Sequence, residues 1–175
     1  SLNHIDVIID EGWENSWRFT GFYGVPETYN RHVSWNLLRS FNSKFNLPWL
    51  CEGNFNEILK SHEKVGGRPR PLMQMQGFRN VLDEYGFMDM GFVGNKFTWN
   101  KNIARGVTVW ERLDRAIAND DWASLFPASK VYHLECGCSD HKPIIIHPLG
   151  IPIRHQKPWR FEQVWLQEED CHEEI

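Results

Sequence analysis

The chain has 175 residues, 41% hydrophobic and 24% charged, with 19 Lys and Arg against 23 Asp and Glu. That suffices for one domain with a sizeable core, and no apolar run approaches the roughly 18 residues of a membrane span. Four cysteines in a chain this long are too sparse for a disulfide framework, and the polar start SLNHIDVIIDEG lacks the basic n-region of a signal peptide. The expectation is an intracellular protein, nuclear or cytoplasmic and not secreted. The start without Met, almost directly on IDVII, suggests a piece of a longer chain.

The formal charge of −4 is unevenly spread. Residues 162–175 hold six acids and no Lys or Arg, so residues 1–161 carry 19 bases against 17 acids. Bases gather at Lys60, Lys64, Arg68 and Arg70, and again at Lys96, Lys101 and Arg105. Such loops suit a phosphate backbone; the plainer reading is a set of solvated loops.

In chain order, residues 5–9 and 17–23 (WRFTGFY) read as strands around a turn at 12–16. From Glu27 to Phe45, apolar residues at Val33, Leu37, Leu38, Phe41 and Phe45 recur at helical spacing. LPWLC is a short, near-continuously apolar strand, as expected of one covered on both faces. In WLCEGNFNEIL it runs into a polar turn and then the start of a helix. KSHEKVGGRPRP has the Gly and Pro content of an irregular loop. Leu72, Met75, Phe78, Leu82 and Tyr85 mark a second amphipathic helix, with Gly86 placed as its cap.

NKFTWN and VTVWERLDRAIAN read as two strands joined through a glycine, a hairpin. NDDWASLFP is a short capped helix, and KVYHLECG and KPIIIHPL are the last strands, joined by CSDH. Helices and strands alternate early and strands dominate late, which predicts a layered α/β or α+β domain over residues 1–149. Residues 150–175 read as a Pro-containing linker and an acidic helical tail leading towards a following domain.

Three polar turns follow apolar strands: GNFNE (53–57), ERLDR (111–115) and SDH (139–141). Rigid sheets present binding and catalytic groups at such places. His141 with a carboxylate beside it has the make-up of a general base near neutral pH. Asp114 is a candidate to fix its tautomer, and Asp140 a candidate ligand for a hard cation. A capped turn between strands is the bland alternative. His133, Cys136, Cys138 and His141 suggest zinc, but they crowd into one stretch, whereas zinc modules use separated pairs. Tyr23 ends a strand as either a core aromatic or a phosphate ligand. Phe97, Trp99 and Trp110 are either core or stacking platforms for bases.

Taken in order, WRFTGFYGVPE, LPWLCEGNFNEIL, KFTW, ERLDRAIAN and SDHKPI resemble the endonuclease/exonuclease/phosphatase family, the deoxyribonuclease I-like proteins. They are most similar to the endonuclease domain of plant non-LTR (LINE-type) retrotransposon polyproteins, over about residues 5–147. The resemblance implies a four-layer sandwich, two β-sheets flanked by helices, that lacks its N-terminal portion. It implies phosphodiester or phosphomonoester hydrolysis with Mg²⁺ or Mn²⁺, with DNA as partner and a downstream reverse transcriptase in the parent polyprotein.

By the same resemblance, His141 matches the residue that activates or positions water, and Asp114 the residue that holds this His. Asp140 matches an acid at the metal and phosphate end. Asn56 matches an Asn on the scissile phosphate, and Tyr23 a Tyr near it. Lys64, Arg68, Arg70, Lys96, Phe97, Trp99 and Trp110 are the expected nucleic-acid groove. Two departures stand out. The family motif G-D-F-N reads Gly53-Asn54-Phe55-Asn56, and an amide does not replace an ionising carboxylate. The family's first part, with its chief metal ligand, has no matching motif.

The resemblance therefore implies weak metal binding and an impaired endonuclease. Alternatives are a catalytically dead remnant that at most binds nucleic acid, and a small-molecule phosphatase. Plasmid nicking, salt-sensitive binding without cleavage, and hydrolysis of a phosphorylated small molecule separate the three.

Overall fold

The structure, a computed structural model, describes residues 3–41, 46–103 and 106–151. Its elements in chain order are β1 (His4–Ile9), β2 (Trp17–Tyr23), α1 (Arg31–Phe41), β3 (Trp49–Asn54), β4 (Lys64–Val65), α2 (Leu72–Glu84) and β5 (Met88–Asp89). They continue with β6 (Val93–Gly94), β7 (Trp99–Ile103), β8 (Val107–Glu111), β9 (Asp114–Ala118), α3 (Asp120–Leu125), β10 (Lys130–His133) and β11 (Ile144–His147). Five strands form the main sheet in the order β1-β2-β3-β9-β5. Within it β2 and β3 run parallel, because α1 carries the chain back between them, and the other pairs are antiparallel. Two three-stranded sheets, β11-β10-β6 and β4-β8-β7, complete the framework.

The alternation of β3 separates two cores. Trp49 and Cys51 face α1 and α2 and pack with Leu38, Phe41, Phe78 and Val81, all buried. Leu50 faces the opposite way and packs with Ala116, Ala118, Trp122 and Val131. The small side chains of β9 let β10 approach across that face. Burying each large side chain contributes roughly 1.5–3 kcal/mol, so both faces of the central strands are committed to packing. This is the expected layered α/β sandwich of sheets and helices.

Several local expectations are corrected. In α1 the buried stripe is Ser34, Trp35, Leu38 and Phe41, while Val33 is exposed; the predicted end at 42–45 lies outside the described residues. GNFNEIL starts no helix; it continues as a loop to a 3-10 turn at Ser61–Glu63. KSHEKVGGRPRP is not wholly irregular, since Lys64–Val65 pairs with β8. VTVWERLDRAIAN is not one strand. It breaks at Arg112-Leu113, where Arg112 N–H donates to the Glu63 carbonyl and Leu113 N–H to Thr98 Oγ1. β8 and β9 thus belong to different sheets. The linker and tail from residue 152 lie outside the described residues.

Candidate functional site

Three strands of the main sheet end on one line. Tyr23 of β2 is paired with Asn54 of β3, and Asn54 with Asp114 of β9. Directly paired residues share a face of the sheet, so these three predicted site residues lie side by side. Asn54 is buried, and Tyr23 is 52% exposed.

The turn after β3 is built from its own side chains. Gly53 has φ +146, and a Cβ there would lie 1.9 Å from the Phe22 carbonyl oxygen, so only glycine fits. Asn56 has φ 54, a left-handed conformation that Asn tolerates better than most residues. Its N–H donates to Asn54 Oδ1 at 2.8 Å, its Nδ2 to the Gly24 carbonyl at 2.7 Å, and Gly24 N–H to the Asn54 carbonyl at 2.7 Å. Asn54 and Asn56 therefore hold the turn. One amide hydrogen of Asn56 is committed to the Gly24 carbonyl. Glu57 is fully buried and accepts from Arg31 at 2.6 Å, a structural role.

Asp114 is set by the residue just before β7. The buried Thr98 hydroxyl accepts from Asp114 N–H at 2.9 Å, and the Thr98 carbonyl accepts from Lys142 N–H at 2.7 Å. Asn100 N–H donates to the Asp140 carbonyl, and Trp99 forms a bridge with His141. The 139–142 turn is thereby pinned beside the end of β9. His141 Nδ1 lies 2.9 Å from Asp114 Oδ2. That bond, opposed by partial burial and aided by the Asp114 and Asp140 charges, raises the His141 pKa above its ordinary value. With Nδ1 turned to Asp114, Nε2 is the nitrogen left to meet a substrate or water. The imidazole is one-third exposed.

Asp140 is less available than the sequence suggests, because its Oδ2 accepts from Trp99 Nε1 at 3.0 Å. Among the described residues no three His, Cys, Asp or Glu side chains come together as a metal site. Cys136 and Cys138 approach to 3.0 Å, while His133 is turned into the protein, its Nδ1 on the Asn95 carbonyl and its ring stacked on Phe92.

The expected nucleic-acid groove is only partly assembled. Lys64 and Arg70 are not available to phosphates. Lys64 is ion-paired with Glu111, and Arg70 with Glu111 and Glu57, all largely buried. Four opposite charges near a low-dielectric interior pair with each other before they pair with a mobile ligand. Arg68 is exposed. Lys96 lies 4.8 Å above the Phe97 ring, and Phe97 packs near Trp110, both half-buried. Trp99 is committed to Asp140 and partly packed against the Ile58, Met75 and Leu113 cluster.

Other groups carry no signal in the sequence. Thr98 positions Asp114 from 16 residues away, and no local pattern marks it. Glu63, Asp89, Arg112 and Arg115 form a buried network with ion pairs of 2.6–3.0 Å. Its four members are scattered over the sequence. Glu52 lies half-buried on the same face of β3 as Asn54, paired with Gly21 and Ala116, and burial pushes its carboxyl up to about 7.

No family model matches the sequence, and no curated protein matches it. Solved structures do match. The endonuclease domain of TRAS1, a telomere-specific non-LTR retrotransposon, aligns with a TM-score of 0.55 at 17% identity over 87% of this chain and 64% of that one. The 3′ phosphatase NExo from Neisseria, bound to product DNA hairpin, gives 0.61 at 17% identity over 83% and 64%. The AP endonuclease LMAP from Leishmania major gives 0.53 at 12% identity over 81% and 53%. The chain has the deoxyribonuclease I-like fold. It spans less than two-thirds of the length of these neighbours.

Proposed function

We propose that the chain belongs to a phosphodiester-hydrolysing domain of retrotransposon endonuclease type, acting on DNA inside the cell. The carrying observation is the Asp114–His141 pair standing in line with Asn54 and Tyr23 at the ends of three adjacent strands. In this reading His141 Nε2 takes a proton from the attacking water while Asp114 holds the ring and steadies the imidazolium. Amide hydrogens of Asn54 and Asn56, with the Tyr23 hydroxyl, donate to the phosphate oxygens where negative charge develops. Mg²⁺ or Mn²⁺ belongs to this reading through the sequence resemblance, with Asp140 as the residue that would hold it and charge neutralisation at the phosphate as what it would supply. The plant LINE origin and a following reverse transcriptase rest on the sequence resemblance.

The test is nicking of supercoiled plasmid with Mg²⁺ or Mn²⁺ against chelator, beside His141→Ala. Metal-dependent nicking lost in the variant supports the reading. A well-folded chain that leaves the plasmid intact at high concentration sinks it.

One observation favours a second reading, a remnant that binds DNA without cutting it. Asn54 stands on the site face where the resemblance calls for an acid, and an amide neither ionises nor shuttles a proton. Loss of a general acid or base lowers rates about 10²–10⁴-fold. Gain of nicking in Asn54→Asp identifies this amide as the defect.

A further inference from the structure

A pocket of about 310 Å³ opens between the 59–63 segment, the 89–92 segment, Lys96 and Arg112. Its floor is the buried network. Arg112 bonds Glu63 at 3.0 Å and Asp89 at 2.8 Å, and Arg115 bonds the same two carboxylates at 3.0 and 2.6 Å. Two arginines and two carboxylates cancel. Burial alone would raise the Glu63 and Asp89 pKa values, but both are held below the ordinary range, with Arg115 and Arg112 as the opposing causes. Both acids are thus ionised and already matched, and they do not neutralise the rim.

The rim is basic. Lys60 and His62 are exposed, Lys96 is half-buried, and none of the three forms an ion pair among the described residues. Their neighbours Lys64 and Arg70 are locked onto Glu111 and Glu57. Among the described residues, the lysine and arginine of this loop outside such ion pairs are therefore Lys60, at the pocket, and Arg68, with Lys96 joining Lys60 at the rim from a second segment. Phe92 is no stacking platform here. Arg112 covers the ring at 4.7 Å and His133 stacks on it at 4.5 Å. The chemistry suits an anion held by point charges rather than a flat base.

The pocket shares its backbone with the site. Arg112 lies two residues before Asp114. Lys96 lies two residues before Thr98, whose hydroxyl accepts from both Leu113 and Asp114 N–H. Pocket residues Arg112 and Lys96 thus stand on the same short backbone stretches as Asp114 and Thr98.

We propose that the pocket rimmed by Lys60, His62 and Lys96 above Arg112 is a backbone-phosphate subsite for a nucleic acid strand running on from the Asp114–His141 pair. This rests on the proposed DNA-acting function and adds to it where the strand lies. Removing one cation that neutralises a phosphate reduces the slope of log affinity against log salt by roughly 0.9, and it weakens binding evenly across sequences.

The experiment is fluorescence anisotropy of a labelled DNA duplex titrated with the intact chain at several salt concentrations. Lys60→Ala and the Lys60→Ala/Lys96→Ala pair are compared with Lys130→Ala, an exposed lysine on β10 away from the pocket. The expected result is a slope reduced by about one and about two, with Lys130→Ala unchanged and thermal melts matching the parent. Salt-dependent binding whose slope the pocket variants leave unaltered overturns the subsite alone, as does an equal fall in Lys130→Ala. Saturable binding of inorganic phosphate that Lys60→Ala abolishes, without any effect on DNA, also overturns it in favour of a small anion site. No salt-dependent DNA binding together with no plasmid nicking removes the subsite and the functional reading together.

Discussion

His141 Nδ1 and Asp114 Oδ2 stand 2.9 Å apart although 27 residues separate them in sequence. Only the β9 strand end and the turn pinned to β7 bring them together. The bond to Asp114 raises the histidine's pKa, so the rise should vanish with the carboxylate. In Asp114→Asn the His141 ring resonances, followed by NMR, should titrate at lower pH than in the parent. The sign for stability follows. The folded pKa is raised, so the pair's contribution is complete below the unfolded value of about 6.5 and is lost as pH rises through the folded value. If nicking is present, it should fall on the order of 10²–10⁴-fold. An unchanged titration in Asp114→Asn rules out the coupling.

The Glu63–Arg112–Asp89–Arg115 network makes a second prediction. Arg115 is fully buried and serves both carboxylates. Removing one partner leaves the others as uncompensated buried charge, which costs about 3–5 kcal/mol. Arg115→Met should lower the urea midpoint by a corresponding amount. Adding Glu63→Gln should recover part of the loss, since it removes one of the orphaned charges. A loss of under about 1 kcal/mol in Arg115→Met would mean the network relaxes to include water.

How much of this is legible in the sequence depends on the range of the causes. The longer strands β1, β2 and β3, the two amphipathic helices and the pairing of β7 with β8 follow from local periodicity, while the two-residue strands β4, β5 and β6 leave no periodic trace. Asp114 and His141 follow from motif order, and the structure brings them together. Lys64 and Arg70 read wrongly as free cations because their partners, Glu111 and Glu57, are far away or out of phase in sequence. A charge on a loop looks solvated until the fold supplies a buried acid. The break between β8 and β9 is invisible for the same reason. It is fixed by the Glu63 carbonyl and the Thr98 hydroxyl, both contributed by other segments.

Gly53 tests the turn that carries Asn54 and Asn56. A methyl group there meets the Phe22 carbonyl at 1.9 Å, and φ +146 is closed to L side chains. Neither β2 nor β3 has room to yield, because both lie inside the sheet. Gly53→Ala should destabilise by more than roughly 2 kcal/mol. Gly86→Ala is the control. Its φ is +60, and a Cβ added there would meet nothing within 4 Å, so it bears the conformational cost without the clash, about 1 kcal/mol. Equal losses in thermal unfolding would deny the close approach at β2.

Glu52 supplies the last prediction, and its sign is opposite to that of most carboxylates. Its strand neighbours Gly21 and Ala116 offer no charge or hydrogen-bonding side chain. Burial pushes its pKa up to about 7 from 4.5. The folded state then binds more protons than the unfolded state between those values, and stability falls as pH rises through that window. His133 works the other way. Burial lowers its pKa, so its share of stability is present above about 6.5 and lost as pH falls. The two effects overlap in the parent, and a single pH curve does not separate them. Glu52→Gln does, because the difference between variant and parent cancels the His133 contribution. The variant should gain roughly 1–3 kcal/mol on the parent between pH 4.5 and pH 8, after allowance for the carboxyl's partial contact with solvent. Urea unfolding of both proteins at those two pH values reads this directly. A flat difference would mean that Glu52 finds a cationic partner on folding and ionises at its ordinary pH.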